Sequence, residues 1–170
     1  SVPAFDEGCL PKLEAGGQIK SNKFVVPPEA VLLCKLNPRI PRVWLPDLNG
    51  EHRSVCSTEF LMVVPKPGIS REYLFGLLSS DSFLKAFASL VTGTSGSHQR
   101  VKPEYLLAME VLIPPKKQIE SYGVLVRPHL ERIVLNLEES RTLAAIRDAL
   151  LPKLLSGQIR LKDTTNAIVS

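Results

Sequence analysis

The sequence predicts an α+β protein: a compact mixed domain over residues 1–115, a long coiled-coil-forming helix over 116–157, and a tail over 158–170. Three observations predict it. Ahead of Pro114-Pro115 lie short apolar runs broken by Pro, Gly, Asn and Ser. Behind it no glycine falls between Gly123 and Gly157, and apolar residues recur at helical spacing. Strand-like and helix-like runs mix in the first part without regular alternation, and that part is large enough to bury its own core.

The elements follow in order. Val31 to Leu36, bounded by Pro27-Pro28 and Asn37-Pro38, reads as a buried strand. Arg42 to Leu45 reads as a second, and Pro46-Asp47-Leu48-Asn49-Gly50 is turn chemistry. Val55 to Val64 reads as a third strand, stopped by Pro65-Lys66-Pro67-Gly68. Tyr73, Leu74, Leu77 and Leu78 share one helical face. Ser80 or Asp81 can cap a following helix that buries Phe83, Leu84, Phe87 and Leu90. Thr92 to Ser97 is small and polar, hence a loop. Pro103-Glu104 opens a short helix carrying Leu106 and Leu107, because proline fits the first helical turn. Met109 to Ile113 reads as a last short strand.

In the second part, Val124, Leu130, Ile133, Leu137, Ala144, Leu151 and Leu154 form a narrow apolar seam. Leu143, Ile146, Leu150 and Leu154 make an overlapping register, and charged residues from Glu131 to Asp148 mostly fill the other faces. A helix of about 35 residues would be roughly 50 Å long. The preceding domain cannot cover a stripe of that length, so a partner helix is the natural cover. The alternative is two short helices folding back on the core. Pro128 and Pro152 argue for breaks, since each removes a helical hydrogen bond.

The composition is globular: 22% charged and 44% hydrophobic, with fourteen prolines scattered rather than clustered. That excludes a wholly disordered or collagen-like chain, and no apolar run is long enough to span a membrane. The net charge of +4 permits a polyanionic partner without demanding one. Cys9, Cys34 and Cys56 are far apart, with no C-x-x-C and no histidine at finger spacing. A reduced, cytoplasmic setting without a zinc site is expected. The chain starts at Ser1 without a basic-then-apolar leader, and is expected to be a trimmed piece of a longer sequence.

Catalytic patterns are missing. Gly93-Thr94-Ser95-Gly96-Ser97 departs from G-x-S-x-G at its last position. Neither a G-x-G-x-x-G nor a Walker A loop occurs. Asn37-Pro38-Arg39 is not the Asn/Asp-Pro-Pro-aromatic loop of adenine methyltransferases, and no nuclease spacing of the PD…(D/E)xK kind is present. His52, His98 and His129 are dispersed, and the carboxylates form no apolar-flanked pair. No catalytic residue, metal ligand or cofactor site is expected.

Binding remains. Lys35, Arg39, Arg42 and Arg53 lie around the first two strands and their connections, near Trp44 and His52. If those strands pair, their ends could form one cationic edge, diluted by Asp47 and Glu51. Ser95, Ser97, His98, Gln99, Arg100 and Lys102 form a second cluster, where Gly93 and Gly96 allow close backbone approach to a phosphate. Gln and Arg side chains also reach base edges bidentately. The alternative is that both clusters are ordinary solvated charge.

Three stretches carry a family resemblance. They are Ile19 to Phe24 with Val31 to Ile40 and Ser57-Thr58-Glu59-Phe60; Gly93 to Val101 with Val111 to Pro115; and Arg141 to Gly157. Together they resemble a target recognition domain and spacer helix from the DNA specificity subunit of type I restriction–modification systems. The last stretch is the most specific, and the resemblance covers nearly the whole chain.

The resemblance implies a non-catalytic subunit in which domain and helix occur twice, each domain reading one half of a bipartite double-stranded DNA site. This chain holds one copy, so it implies a C-terminal half or a half-length form. The helices would pair antiparallel as a ruler, here with a second copy or the missing half through Leu130, Ile133, Leu137, Ala144, Leu151 and Leu154. Docked methyltransferase subunits would use S-adenosylmethionine and would carry the restriction/translocase subunits. Because the Gly93–Arg100 loop is shared by such domains, Ser95, Ser97 and Lys102 are expected to contact backbone or to scaffold. Arg39, Arg42 and His52 are expected to discriminate bases. The competing readings are an assembly domain that acts through its helix without touching DNA, and a stand-alone methyltransferase or nuclease, which the missing motifs disfavour.

Overall fold

A computed structural model of the chain describes residues 1–46, 52–92 and 99–159. They run as α1 (Val2–Asp6), a 3₁₀ turn (Gly16–Gln18), β1 (Lys23–Val25), β2 (Val31–Cys34), β3 (Val43–Trp44), β4 (Val55–Ser57), β5 (Phe60–Val63), α2 (Arg71–Ser79), α3 (Asp81–Ser89), α4 (Pro103–Leu107) and α5 (Lys116–Leu155). The fold is α+β. The chain divides into two compact units, Ser1–Val134 and Leu135–Ser170.

All four residues of β2 are buried, because the strand is sandwiched. It pairs antiparallel with β3 on one side (Leu32 opposite Trp44, Leu33 opposite Val43) and with β5 on the other (Val31 opposite Val63, Cys34 opposite Phe60). Successive strand side chains point to opposite faces. Leu32 and Cys34 therefore enter a core with Ala4, Trp44, Cys56 and Phe60. Val31 and Leu33 enter a second core with Leu74, Leu78, Phe83, Phe87 and Val101. A strand buried on both faces reads as the continuous apolar run seen in the sequence.

β1 and β4 form a separate antiparallel pair, with Lys23 opposite Ser57 and Val25 opposite Val55. The expected single strand from Val55 to Val64 is two strands. The break falls at Thr58-Glu59, where the Glu59 amide donates to Ser57 Oγ at 3.3 Å. A side-chain turn of this kind needs neither glycine nor proline, so it left no breaker in the sequence. The expected strand at Met109–Ile113 does not form. Met109 packs on the second core, but Leu112 is 93% exposed, and residues 108–115 carry no regular element. Leu107 also faces outward, unlike Leu106.

Serines cap both middle helices: Ser70 Oγ accepts from the Tyr73 amide at 3.1 Å, and Ser80 Oγ from the Phe83 amide at 3.4 Å. Arg71 Nη2 donates to the carbonyls of Ala30 and Pro46, tying α2 to the sheet.

Pro128 and Pro152 both lie inside α5, which spans 40 residues; the alternative of two short helices does not form. Within the first unit, α5 docks on α2. Ile119 is 2% exposed, Gly123 is buried, and the Tyr122 and Tyr73 rings meet edge-on at 6.0 Å. A Cβ on Gly123 would stand 3.2 Å from Ser70 Oγ, so glycine allows this approach. Arg127 bonds Glu72 at 2.7 Å. Val126 and Leu130 are half-buried, whereas Val124 is 76% exposed. The seam of the first unit thus starts at Ile119 and bypasses Val124. In the second unit, Leu137, Ala144 and Leu154 are half-buried, while Leu143, Ile146, Leu150, Leu151 and Leu155 are exposed, as is Ile133 in the first.

Candidate nucleic-acid interface

The C-terminal end of β2 is where the chain collects its polar groups. Beyond Cys34 the strand enters a tight hairpin to β3, closed by the Cys34 amide donating to the Arg42 carbonyl at 2.9 Å. The tip turns through Asn37-Pro38-Arg39-Ile40, with the Ile40 amide donating to Asn37 O at 2.9 Å. Asn37 sits at φ +47°, a left-handed conformation that asparagine tolerates better than most residues.

Two distant segments join this end. The Lys35 amide donates to Glu59 O at 2.9 Å, which fastens the 57–59 turn. On the other side, the Asn37 amide donates to Gln99 O at 2.8 Å and the Val101 amide to Lys35 O at 3.1 Å, laying residues 99–101 along 35–37. The two polar clusters that are separate in the sequence, around Lys35–Arg42 and Gln99–Lys102, are one surface. Lys23 lies opposite Ser57, at the end of the β1–β4 pair that leads into the 57–59 turn.

The predicted site residues therefore sort into groups. Lys35, Arg39, Gln99, Arg100 and Lys102 converge, with Arg39 and Lys102 exposed. The Lys102 ammonium stands 5.9 Å from the centre of the Tyr105 ring. Arg42 lies at this end too, but its guanidinium is spent on Asp6, bonded through Nε at 2.7 Å and Nη2 at 3.0 Å. Arg100 makes the equivalent two-pronged contact with Glu59, at 2.9–3.3 Å. His52 and Arg53 are exposed at the opposite end of the β1–β4 pair, where the Val26 amide donates to Ser54 O. Ser95, Ser97 and His98 lie outside the described residues. Lys23 went unnoticed in the sequence, because a three-residue strand shows no periodicity.

The ion pairs set the local titration. The Arg42 hydrogen bond holds the Asp6 carboxyl below its ordinary value, and the Arg100 hydrogen bond does the same for Glu59. For Glu72, burial pushes upward but is outweighed by hydrogen bonds, chiefly from Arg127, and the carboxyl ends low. A carboxylate with a depressed folded pKa contributes stability above its unfolded value and loses it as pH falls through the folded one. All three therefore protect the fold at neutral pH. The denaturation midpoint is expected to drop once pH passes below the ordinary carboxyl values of 3.8 and 4.5. Denaturant titrations from neutral pH down to about pH 3 check this, and Glu59→Gln should flatten the decline.

Burial pushes all three thiols up, so Cys9, Cys34 and Cys56 stay protonated and unreactive near neutrality. Among the described residues no cluster of His, Cys, Asp and Glu could hold a metal ion. No described helix is long and apolar enough to cross a membrane.

Over 103 residues the chain is 28% identical to the type I restriction enzyme MjaIX specificity subunit of Methanocaldococcus jannaschii. The chain is similar to a specificity subunit. The match takes in 61% of the chain and 23% of the MjaIX subunit, so the chain spans about a quarter of that relative's length. No family profile matches the chain. No solved structure matches it.

Proposed function

We propose that this chain is a non-catalytic DNA-reading part of a type I restriction–modification complex. It binds one half of a bipartite double-stranded site and needs no cofactor of its own. The similarity to the MjaIX specificity subunit carries this reading. The convergence of Lys23, Lys35, Arg39, Gln99 and Lys102 at the hairpin end gives it a surface. Lysine and arginine there neutralise phosphates, while Gln99 and Arg39 have the hydrogen-bonding reach for base edges. Arg42 is left out of that surface by its pairing with Asp6. The setting is the cytoplasm, where methyltransferase subunits dock and bring the restriction/translocase subunit with them.

The test is a mobility shift with mixed-sequence and cognate-candidate duplexes at two salt concentrations. Four phosphates neutralised by Lys23, Lys35, Arg39 and Lys102 give a slope of about −3.6 in log affinity against log salt. That amounts to roughly a hundredfold loss between 50 and 200 mM. No binding at low salt sinks the reading.

The exposed leucines of α5 support the second half of the proposal, pairing with another copy or with the other half of a longer subunit in antiparallel fashion. They also favour the competing reading, an assembly domain that acts through its helix without DNA. Light scattering at micromolar concentration is expected to give a two-fold dimer. Leu143→Arg with Ile146→Arg is expected to return it to the mass of one chain. A parent chain already at that mass contradicts pairing with a second copy.

A further inference from the structure

We infer that Arg100 is a positioning residue of the nucleic-acid surface, held by Glu59 as a strut between the 57–59 turn and the 99–101 segment, and not itself a contact to phosphate or base. The inference rests on the DNA-reading function proposed above and assigns one of its cations a different task.

Three features carry it. First, the contact uses the fork of the guanidinium: Nε reaches both Glu59 oxygens at 3.0 and 3.3 Å, and Nη2 reaches Oε1 at 2.9 Å. Such two-pronged pairs fix direction as well as distance. Second, the pair closes a ring of backbone bonds. Glu59 O accepts from Lys35, Lys35 O accepts from Val101, and Asn37 donates to Gln99. Residues 59 and 100 thus meet through side chains across the strand end whose main chain already binds both segments. Val101, next to Arg100, is fully buried in the second core, so the strut also sets the approach of that anchor. Third, the Glu59 side chain is 23% exposed at an end rich in lysine and arginine. Uncompensated, its charge would repel a phosphate; joined to Arg100 it is neutralised where Lys35 and Lys102 must attract one.

Arg100 and Arg39 then differ in what their removal does. A phosphate contact, once lost, lowers the salt slope by about one and weakens all duplexes alike. A lost strut leaves the slope unchanged and loosens the geometry that the other cations need. The experiment uses the whole chain and four proteins: the parent, Arg39→Gln, the neutral pair Glu59→Gln with Arg100→Gln, and the exchange Glu59→Arg with Arg100→Glu. Two readouts are taken, affinity for duplex DNA over a salt series and hydrogen exchange at the Asn37 and Val101 amides.

The neutral pair, which removes the strut without baring the Glu59 charge, is expected to weaken DNA binding about tenfold at every salt concentration with the slope of the parent, and to speed exchange at both amides. The reversed pair recovers most of both. Arg39→Gln is expected to flatten the slope with exchange unchanged. The inference is overturned if the neutral pair flattens the slope while both amides keep their protection, or if the reversed pair recovers neither. A parent chain that binds no duplex at low salt defeats the function proposed above. Amide exchange in the neutral pair and the reversed pair still decides the strut in that case.

Discussion

Phe60→Ala is expected to remove about 3–5 kcal/mol of stability. Phe60 is 1% exposed at the head of β5, opposite Cys34, with its ring 6.2 Å from Trp44. Trp44 in turn meets Phe5 of α1 edge-on at 5.9 Å. Deleting the ring opens a cavity lined by a strand, an aromatic and a short helix. At 2–4 °C per kcal/mol the melting temperature should fall by roughly 10 °C. Trp44 sits in the same cluster, so its fluorescence reports the loss directly. The control is Phe24→Ala: Phe24 is 46% exposed on β1, and its truncation should cost less than about 1 kcal/mol. Equal costs for the two would mean that the first core is not packed as described.

Ile119→Ala is expected to cost about 2–4 kcal/mol, which is large for a residue in the first turn of a helix. Its side chain is buried, while its helix neighbours Glu120 and Ser121 are exposed. It acts with the Tyr73–Tyr122 contact, the close approach at Gly123 and the Glu72–Arg127 pair to hold the start of α5 against α2. Leu125→Ala, equally apolar but 67% exposed, should fall within about 0.5 kcal/mol of the parent. Chemical denaturation of both variants separates the docked face from the open one. The Arg127–Glu72 pair adds little by comparison, since Arg127 is 60% exposed and its charge is screened.

The parts of the fold that were legible in the sequence share one property: a single local rule decided them. β2 announced itself because both its faces are buried. The cap at Ser80 was visible because Phe83 and Phe87 follow it at helical spacing. The helix after Pro115 was visible from its missing glycines. Its two prolines argued for breaks that did not form, since a long helix can absorb the loss of one backbone bond at each. What escaped depended on partners far along the chain. Thr58-Glu59 interrupts an apolar run through a serine side chain. Arg42 and Arg100 looked like free cations because their carboxylates lie 36 and 41 residues away. The inner face of α5 was placed from Val124 onward, because the dock depends on Ile119 and on a glycine, neither of which stands out in a count of leucines. The candidate site was legible as two lists of residues, and its unity was not. Only the register of residues 99–101 against 35–37 joins them.

The double-sided burial of β2 has a consequence for which length changes the gene can tolerate. One codon gained or lost between Ala30 and Cys34 would send every following side chain of the strand to the wrong core, Leu32 and Leu33 exchanging places at a stroke. Past Asn37, whose amide is tied to Gln99, the exposed residues Arg39 to Pro41 bear no such alternation. Insertions and deletions should therefore accumulate in the tip and be purged from the strand.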